Sequence, residues 1–255
     1  METQISQLPN AKQILDATVY ISYCMLRHGA EISRVEDTAR RICLSYGMDE
    51  AHVFAVSSTI IITVVHEGET LTQTRRVISV STNLDRVDRL NALSRTICEN
   101  HSSYDSIIAQ INAIENRPLY PPFLSVAAYA LIGGSFAIFF GGTVADGVVA
   151  AAAGAVVRLI ILLLQFLRAA PFFTTAAASA VTAACAHLAV MIFAGLHAET
   201  ITIGVLMNLV PGVALTNSMR DFIATDYVSG MSRLTEAFFT ATAIALGVAV
   251  VLLWN

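Results

Sequence analysis

Phe123–Val144 reads FLSVAAYALIGGSFAIFFGGTV, 22 residues without a charged side chain. The hydrocarbon core of a bilayer is about 30 Å thick and a helix rises about 1.5 Å per residue, so roughly 20 apolar residues cross it. Phe172–Phe193 meets the same requirement with His187 as its one ionisable group. Ala237–Trp254 is a third uncharged run and ends on an interfacial Trp. Gly147–Leu167 is apolar except for Arg158 and Gln165, and Ile201–Thr216 is short and interrupted by Pro211-Gly212. These stretches predict an α-helical membrane protein with five spans, about 123–144, 147–167, 172–193, 199–217 and 236–254, in a transmembrane domain over 121–255.

The rest of the chain is made of different material. Of 15 Lys and Arg residues eleven precede Pro121, as do fourteen of 19 Asp and Glu, so Pro121–Asn255 holds nine charges. The formal net charge is −4 and no basic stripe occurs, which argues against nucleic-acid binding. Four cysteines (Cys24, Cys43, Cys98, Cys185) form no CxxC pair and read as buried thiols rather than a disulfide or metal framework. No P-loop or GxGxxG is present, so an ATP-driven pump has no support, and no cofactor is expected. The polar N-terminus predicts no cleavable signal peptide. Arg168 marks one connection as basic, and Arg220 and Arg233 another, while the connections at Gly141-Gly142 and His197–Glu199 lack Lys and Arg. That alternation places the N-terminal half in the cytoplasm and Asn255 on the far side.

Residues 1–120 predict a small cytoplasmic α+β domain. Residues 11–28 and 32–46 have amphipathic helical spacing, with Ile14, Leu15, Thr18, Val19, Ser22 and Met25 on one face of the first. Gly29 separates them as a C-cap. His52–Ser57, Ile60–His66 and Leu71–Val80 read as strands, the last two joined by a turn at Glu67-Gly68-Glu69. Helical spacing returns over 83–99, with Leu84, Val87, Leu90 and Leu93 apolar, and over 104–116. The polar set Glu31, Arg34, Glu36, Asp37, Arg40, Arg41 reads as a solvated helix face held by i, i+3 and i, i+4 pairs. No metal-ligand or nucleophile pattern stands out among the six histidines and the Ser57-Ser58-Thr59 run.

Within the spans, polar residues are costly and therefore informative. Arg158 at mid-span costs at least about 2.5 kcal/mol. It either faces a cavity, as an attractor for a substrate carboxylate, or snorkels to the cytoplasmic surface. Asp146 lies about twelve residues earlier, roughly 18 Å along a helix, too far to pair with it and placed at the outer mouth. Pro211-Gly212 breaks the fourth span, and freed backbone groups in a membrane must be satisfied by protein or by a wet cavity. Broken helices of this kind line substrate sites in secondary transporters. The predicted substrate pathway is Arg158, Asn208, Pro211, Gly212, Thr216, Asn217, Arg220 and Asp221, with Asp146, His187, Asp226, Arg233 and Glu236 in coupling or gating. Glu199 joins His187 and Glu236 as a candidate proton carrier.

Leu209-Val210-Pro211-Gly212, Leu215-Thr216-Asn217-Ser218-Met219-Arg220-Asp221, Ser229-Gly230 and Arg233-Leu234 with Glu236-Ala237 resemble the signature of the threonine/serine exporter (ThrE) family. Gly29-Ala30-Glu31, Arg34-Val35-Glu36-Asp37 and Arg40-Arg41 resemble its N-terminal motif. Fused members of that family have about ten spans, so five resemble its split form, a YjjP-like subunit working with a smaller YjjB-like membrane subunit. The resemblance implies ion-gradient-driven export of threonine, serine or succinate-type dicarboxylates across the bacterial inner membrane, in a higher oligomer. The competing expectations are a membrane-anchored enzyme or a regulatory subunit, with the activity in the N-terminal domain.

Overall fold

A computed structural model describes residues 9–78, 81–118 and 120–253. Two compact units emerge, one from the described residues of Met1–Pro118 with Asn217–Arg233, the other from those of Leu119–Thr216 with Leu234–Asn255.

In the first unit, α1 (Ala11–Arg27) starts at a capping box in which Asn10 and Gln13 exchange side-chain and backbone bonds of 2.8 and 3.0 Å. All six residues of its expected apolar face are buried. Its C-terminus closes as a Schellman motif: Gly29 sits at φ +86°, and the Gly29 and Ala30 N–H groups donate to Leu26 and Met25 carbonyls, each at 3.0 Å. α2 (Ile32–Ser45) follows. The antiparallel meander β1 (Glu50–Val56), β2 (Thr59–His66) and β3 (Glu69–Arg76) has β2 in the middle. Ile60, Ile62 and Val64 on β2 are fully buried, as period-two alternation requires. The β2–β3 turn is the two residues Glu67 and Gly68, both at positive φ, the type I′ geometry that suits a right-twisted hairpin. The third strand ends at Arg76; the last two residues of the predicted run, 79–80, lie outside the described residues. α3 (Leu84–Asn100) and α4 (Tyr104–Glu115) complete the helical pack around α1. Val87, Leu90 and Leu93 are buried, but Leu84, the first residue of α3, is exposed at the end of the helix.

The polar face of α2 is less solvated than its pattern suggests. Asp37 and Arg41 do pair at i, i+4, 2.6 Å apart. Glu36 instead turns inward and accepts the Ala55 N–H at 2.8 Å, and burial pushes its carboxyl up. Cys24 and Cys43 lie in the core, their thiols pushed up by burial to about 12 and about 11. Iodoacetamide at pH 8 is expected to leave both unmodified in the native protein and to label them after denaturation, since the thiolate is the nucleophile; mass spectrometry of the alkylated peptides checks this.

The second unit holds α5 (Pro122–Phe139), α6 (Val144–Phe166), α7 (Pro171–Ile192) and α8 (Ala198–Leu206), together with the start of α9 (Gly212–Ile223) and most of α10 (Tyr227–Leu252). Among the described residues four helices, α5, α6, α7 and α10, are long and apolar enough to cross a membrane. The fourth predicted span is two short helices, α8 and α9, parted at Met207–Pro211. Pro211 cannot donate to a helical ladder, and the chain restarts at Gly212. The expected connection bearing Arg220 and Arg233 is mostly helix: Arg220 lies in α9, Arg233 in α10, and only residues 224–226 link them. Asp226 makes the earlier start of α10 favourable by accepting the Ser229 N–H at its N-terminus. The predicted end of the last span, Trp254, lies outside the described residues.

Small residues set the packing distances here. A Cβ on Gly154 would lie 2.6 Å from the Tyr129 carbonyl oxygen, and one on Gly134 2.8 Å from the Gly147 carbonyl oxygen. Gly204 brings α8 equally close to α5, where a Cβ would sit 2.6 Å from the Ala137 nitrogen. Close backbone approach of this kind is what holds helices together in lipid. Gly204→Val is expected to destabilise the unit by about 1–3 kcal/mol through overpacking, seen as a lower melting temperature of the detergent-solubilised protein.

Candidate functional site: a charged cluster on the α9–α10 hairpin

The α9–α10 hairpin is locally determined. Gly230 packs against the ring of Phe222, where a Cβ would meet ring carbons at 2.8 Å. The Ser218 hydroxyl donates to the Gly230 carbonyl at 2.8 Å, and the Asp226 N–H to the Asp221 carbonyl at 2.9 Å. Thr225 takes a positive φ of 65° to make the turn.

This hairpin carries charge against the α1–α2 corner. The Arg233 side chain is nearly buried, with its Nε 3.1 Å from Asp221 Oδ2 and its Nη2 donating to the Ala30 carbonyl at 3.0 Å. Asp221 is 5% exposed, so each member of the pair is the other's main neutralising partner. The Nε–Oδ2 contact is at ion-pair distance but lacks hydrogen-bond alignment, so it works chiefly through charge. Burial pushes the Asp221 carboxyl up, Asp226 and Glu31 add to that, and Arg233 opposes it. Arg220 pairs with Glu31 in a more exposed position. Ser57 and Ser232 hydroxyls meet at 2.9 Å. The Ser229 hydroxyl is buried without a hydrogen-bond partner among the described residues.

Of the predicted site residues, Arg220, Asp221, Asp226 and Arg233 are thus brought together with Glu31, and Asn217 lies one turn before them on α9. The rest belong to the second unit. Arg158 is half-buried, its Nε donating to Ser125 Oγ at 3.0 Å and its guanidinium 5.0 Å from the centre of the Tyr129 ring. Asn208 Nδ2 donates to the Tyr129 and Val205 carbonyls at 3.3 and 3.1 Å, which ties the break after α8 to α5. Pro211 is the last residue of the break and Gly212 the first of α9, and the Thr216 hydroxyl donates to the Gly212 carbonyl. His187 is half-buried on α7, Glu199 is exposed in the first turn of α8, and Glu236 is exposed on α10.

Asp146 is fully buried. It completes a capping box with Thr143 and accepts from the His197 N–H at 2.8 Å and meets His197 Nδ1 at 3.0 Å. The capping box is legible as Thr143-x-x-Asp146; the His197 contact, 51 residues away, has no sequence signal. Glu31 is the other residue whose role the sequence does not disclose, because its partner is 189 residues distant.

Four apolar helices of spanning length make this a multi-pass membrane protein. Residues 16–254 match the family described as "Putative threonine/serine exporter" (ThrE), and the chain belongs to that family. It is 25% identical over 242 residues to the "Probable threonine/serine exporter" of Mycobacterium tuberculosis, covering 94% of this chain and 46% of that one. It is 30% identical over 116 residues to the "Probable succinate transporter subunit YjjP" of Klebsiella aerogenes, covering 45% of this chain and 43% of that one. The chain thus spans under half the length of the curated relatives it matches. No solved structure matches it.

The two ion pairs differ in weight. Arg233→Ala leaves Asp221 buried and unpaired and is expected to cost about 3–5 kcal/mol. Arg220→Ala, at an exposed pair, is expected to cost at most about 1 kcal/mol. Thermal or denaturant unfolding of the two purified variants checks the contrast.

Proposed function

We propose that this chain is one subunit of a secondary exporter that moves small carboxylate metabolites, succinate-type dicarboxylates or threonine and serine, out of the bacterial cytoplasm. The observation that carries the reading is the convergence of the two family motifs: Glu31 and Ala30 from the N-terminal motif are the partners of Arg220 and Arg233 from the C-terminal one. Family membership and the exporter and succinate-transporter relatives support the transport chemistry.

In this reading the protein sits in the inner membrane with residues 1–120 in the cytoplasm. The α8–α9 segment is a fifth, discontinuous crossing. Arg158 attracts the substrate carboxylate, and Asn208 and the Pro211 break line its path, with Thr216 and Asn217 beyond. The Glu31–Arg220 and Asp221–Arg233 pairs act as a gate on α10, which continues as one helix from Arg233 into its apolar stretch. Protonation of Asp221 removes the charge that holds Arg233, which makes the cluster a place for a proton to act. Asp146, His187, Asp226 and Glu236 assist coupling. The rest of the path comes from a YjjB-like small membrane subunit, in an assembly of several copies. An apolar groove of about 650 Å³ between Leu206, Pro211 and the α10 residues Phe238 and Ile244 offers a surface for a partner's helix.

A strain lacking the gene is expected to retain succinate, threonine or serine, and to release it again when both subunits are supplied. Unchanged efflux of all three with both subunits present would overturn the proposal. In the complemented strain, Arg158→Ala is expected to reduce efflux more than Arg158→Lys, because lysine keeps the charge while losing the planar fork.

A further inference from the structure

A second polar site, sharing Glu31 with the first, lies between α2 and α3. The groove between α2 and α3 has a volume of about 490 Å³ and polar walls. Arg34 and Arg41, seven residues apart, share the face of α2 that lines it, with Thr38 between them. Asn91, Ser94 and Arg95, at i, i+3 and i+4, line it from α3. Thr38, Asn91 and Ser94 are buried polar residues on its floor, at 2%, 8% and 7% exposure. Ser94 donates to the Asn91 carbonyl at 2.8 Å.

The charges do not balance. Three guanidinium groups line the groove, and two carboxylates, Glu31 and Asp37. Asp37 is taken by Arg41 and Glu31 by Arg220. Arg34 and Arg95 have no ion-pair partner among the described residues, and they stand on opposite walls. Polar hydroxyl and amide groups lie beneath them. Guanidinium groups make their strongest hydrogen bonds to carboxylate and phosphate oxygens.

We propose that the α2–α3 groove binds a small organic dianion, with one acid group on Arg34 and the other on Arg95. The floor residues Thr38 and Asn91 hydrogen-bond the body of the ligand. Because Glu31 lines the same groove and holds Arg220, occupancy is read out at the ion pair described above. Apart from Glu31 the groove residues lie outside the proposed transport path, and the proposal stands whether or not the chain exports anything.

Calorimetric titration of the purified full-length chain in detergent tests it, with succinate, acetate and inorganic phosphate as probes. Succinate is expected to bind the groove at least about tenfold more tightly than acetate or phosphate, because only it presents an acid to each wall. The Arg34→Gln/Arg95→Gln pair is expected to lose at least about tenfold in succinate affinity, and the Arg34→Lys/Arg95→Lys pair less. Arg76→Gln, on exposed β3 outside the groove, is expected to leave binding unchanged, and repeating the titrations in an Arg158→Ala background removes any contribution from the transport path. Both groove arginines are exposed, so the melting temperature is expected to hold; should the Gln pair lower it, the Lys pair decides. No succinate binding to the parent chain, binding unaltered in the Gln pair, equal binding of acetate or phosphate, or no binding left in the Arg158→Ala background would each overturn the proposal.

Discussion

A peptide group placed in hydrocarbon must find its hydrogen-bond partner inside the protein. Most of the second unit follows from that requirement. It makes α5, α6, α7 and α10 continuous helices, and it makes the interruption at Met207–Pro211 expensive unless something closes it. The N–H groups of Met207 to Val210 find carbonyls of residues 203–206 in tighter turns, and the Asn208 side chain ties the break to α5 by donating to the Tyr129 carbonyl. That bond requires Tyr129 to be near, which in turn depends on the glycines that let α6 and α8 approach α5. Tyr129 also lies under the Arg158 guanidinium. The broken helix, the small-residue interface and the membrane arginine are therefore one arrangement rather than three.

The first unit is governed by a different cost, that of burying charge. Arg233 is withdrawn from water and needs both Asp221 and the Ala30 carbonyl. The Schellman closure at Gly29 presents that carbonyl, because it turns the chain sharply between α1 and α2. Gly230 lets Phe222 lie against α10. A backbone device at residue 29 and another at residue 230 thus serve the same guanidinium.

Apolar length and amphipathic spacing made the helices and the three strands legible, since both report on local geometry and on what each face must touch. The break at Pro211 was legible for the same reason: proline's missing donor is a local fact. Helix starts were harder to read. Tyr227 begins α10 because Asp226 caps it, whereas hydropathy alone begins a helix where the charges stop. Nor could periodicity say that Glu31 and Glu36 leave the solvated face of α2. Their partners, Arg220 and the Ala55 amide, are supplied by tertiary contact, and the pairing of Asp146 with His197 has the same origin.

The composition of the first unit has a bearing on how the chain is made. Its 217–233 segment leaves the ribosome only after the helices α5 to α8 have been synthesised. Until then Ala30, Glu31 and Ser57 lack the groups they finally meet. The N-terminal fold is completed late, by a hairpin that emerges after most of the membrane helices. Assembly of the charged cluster is then a report, written into the order of translation, that those helices have already been made.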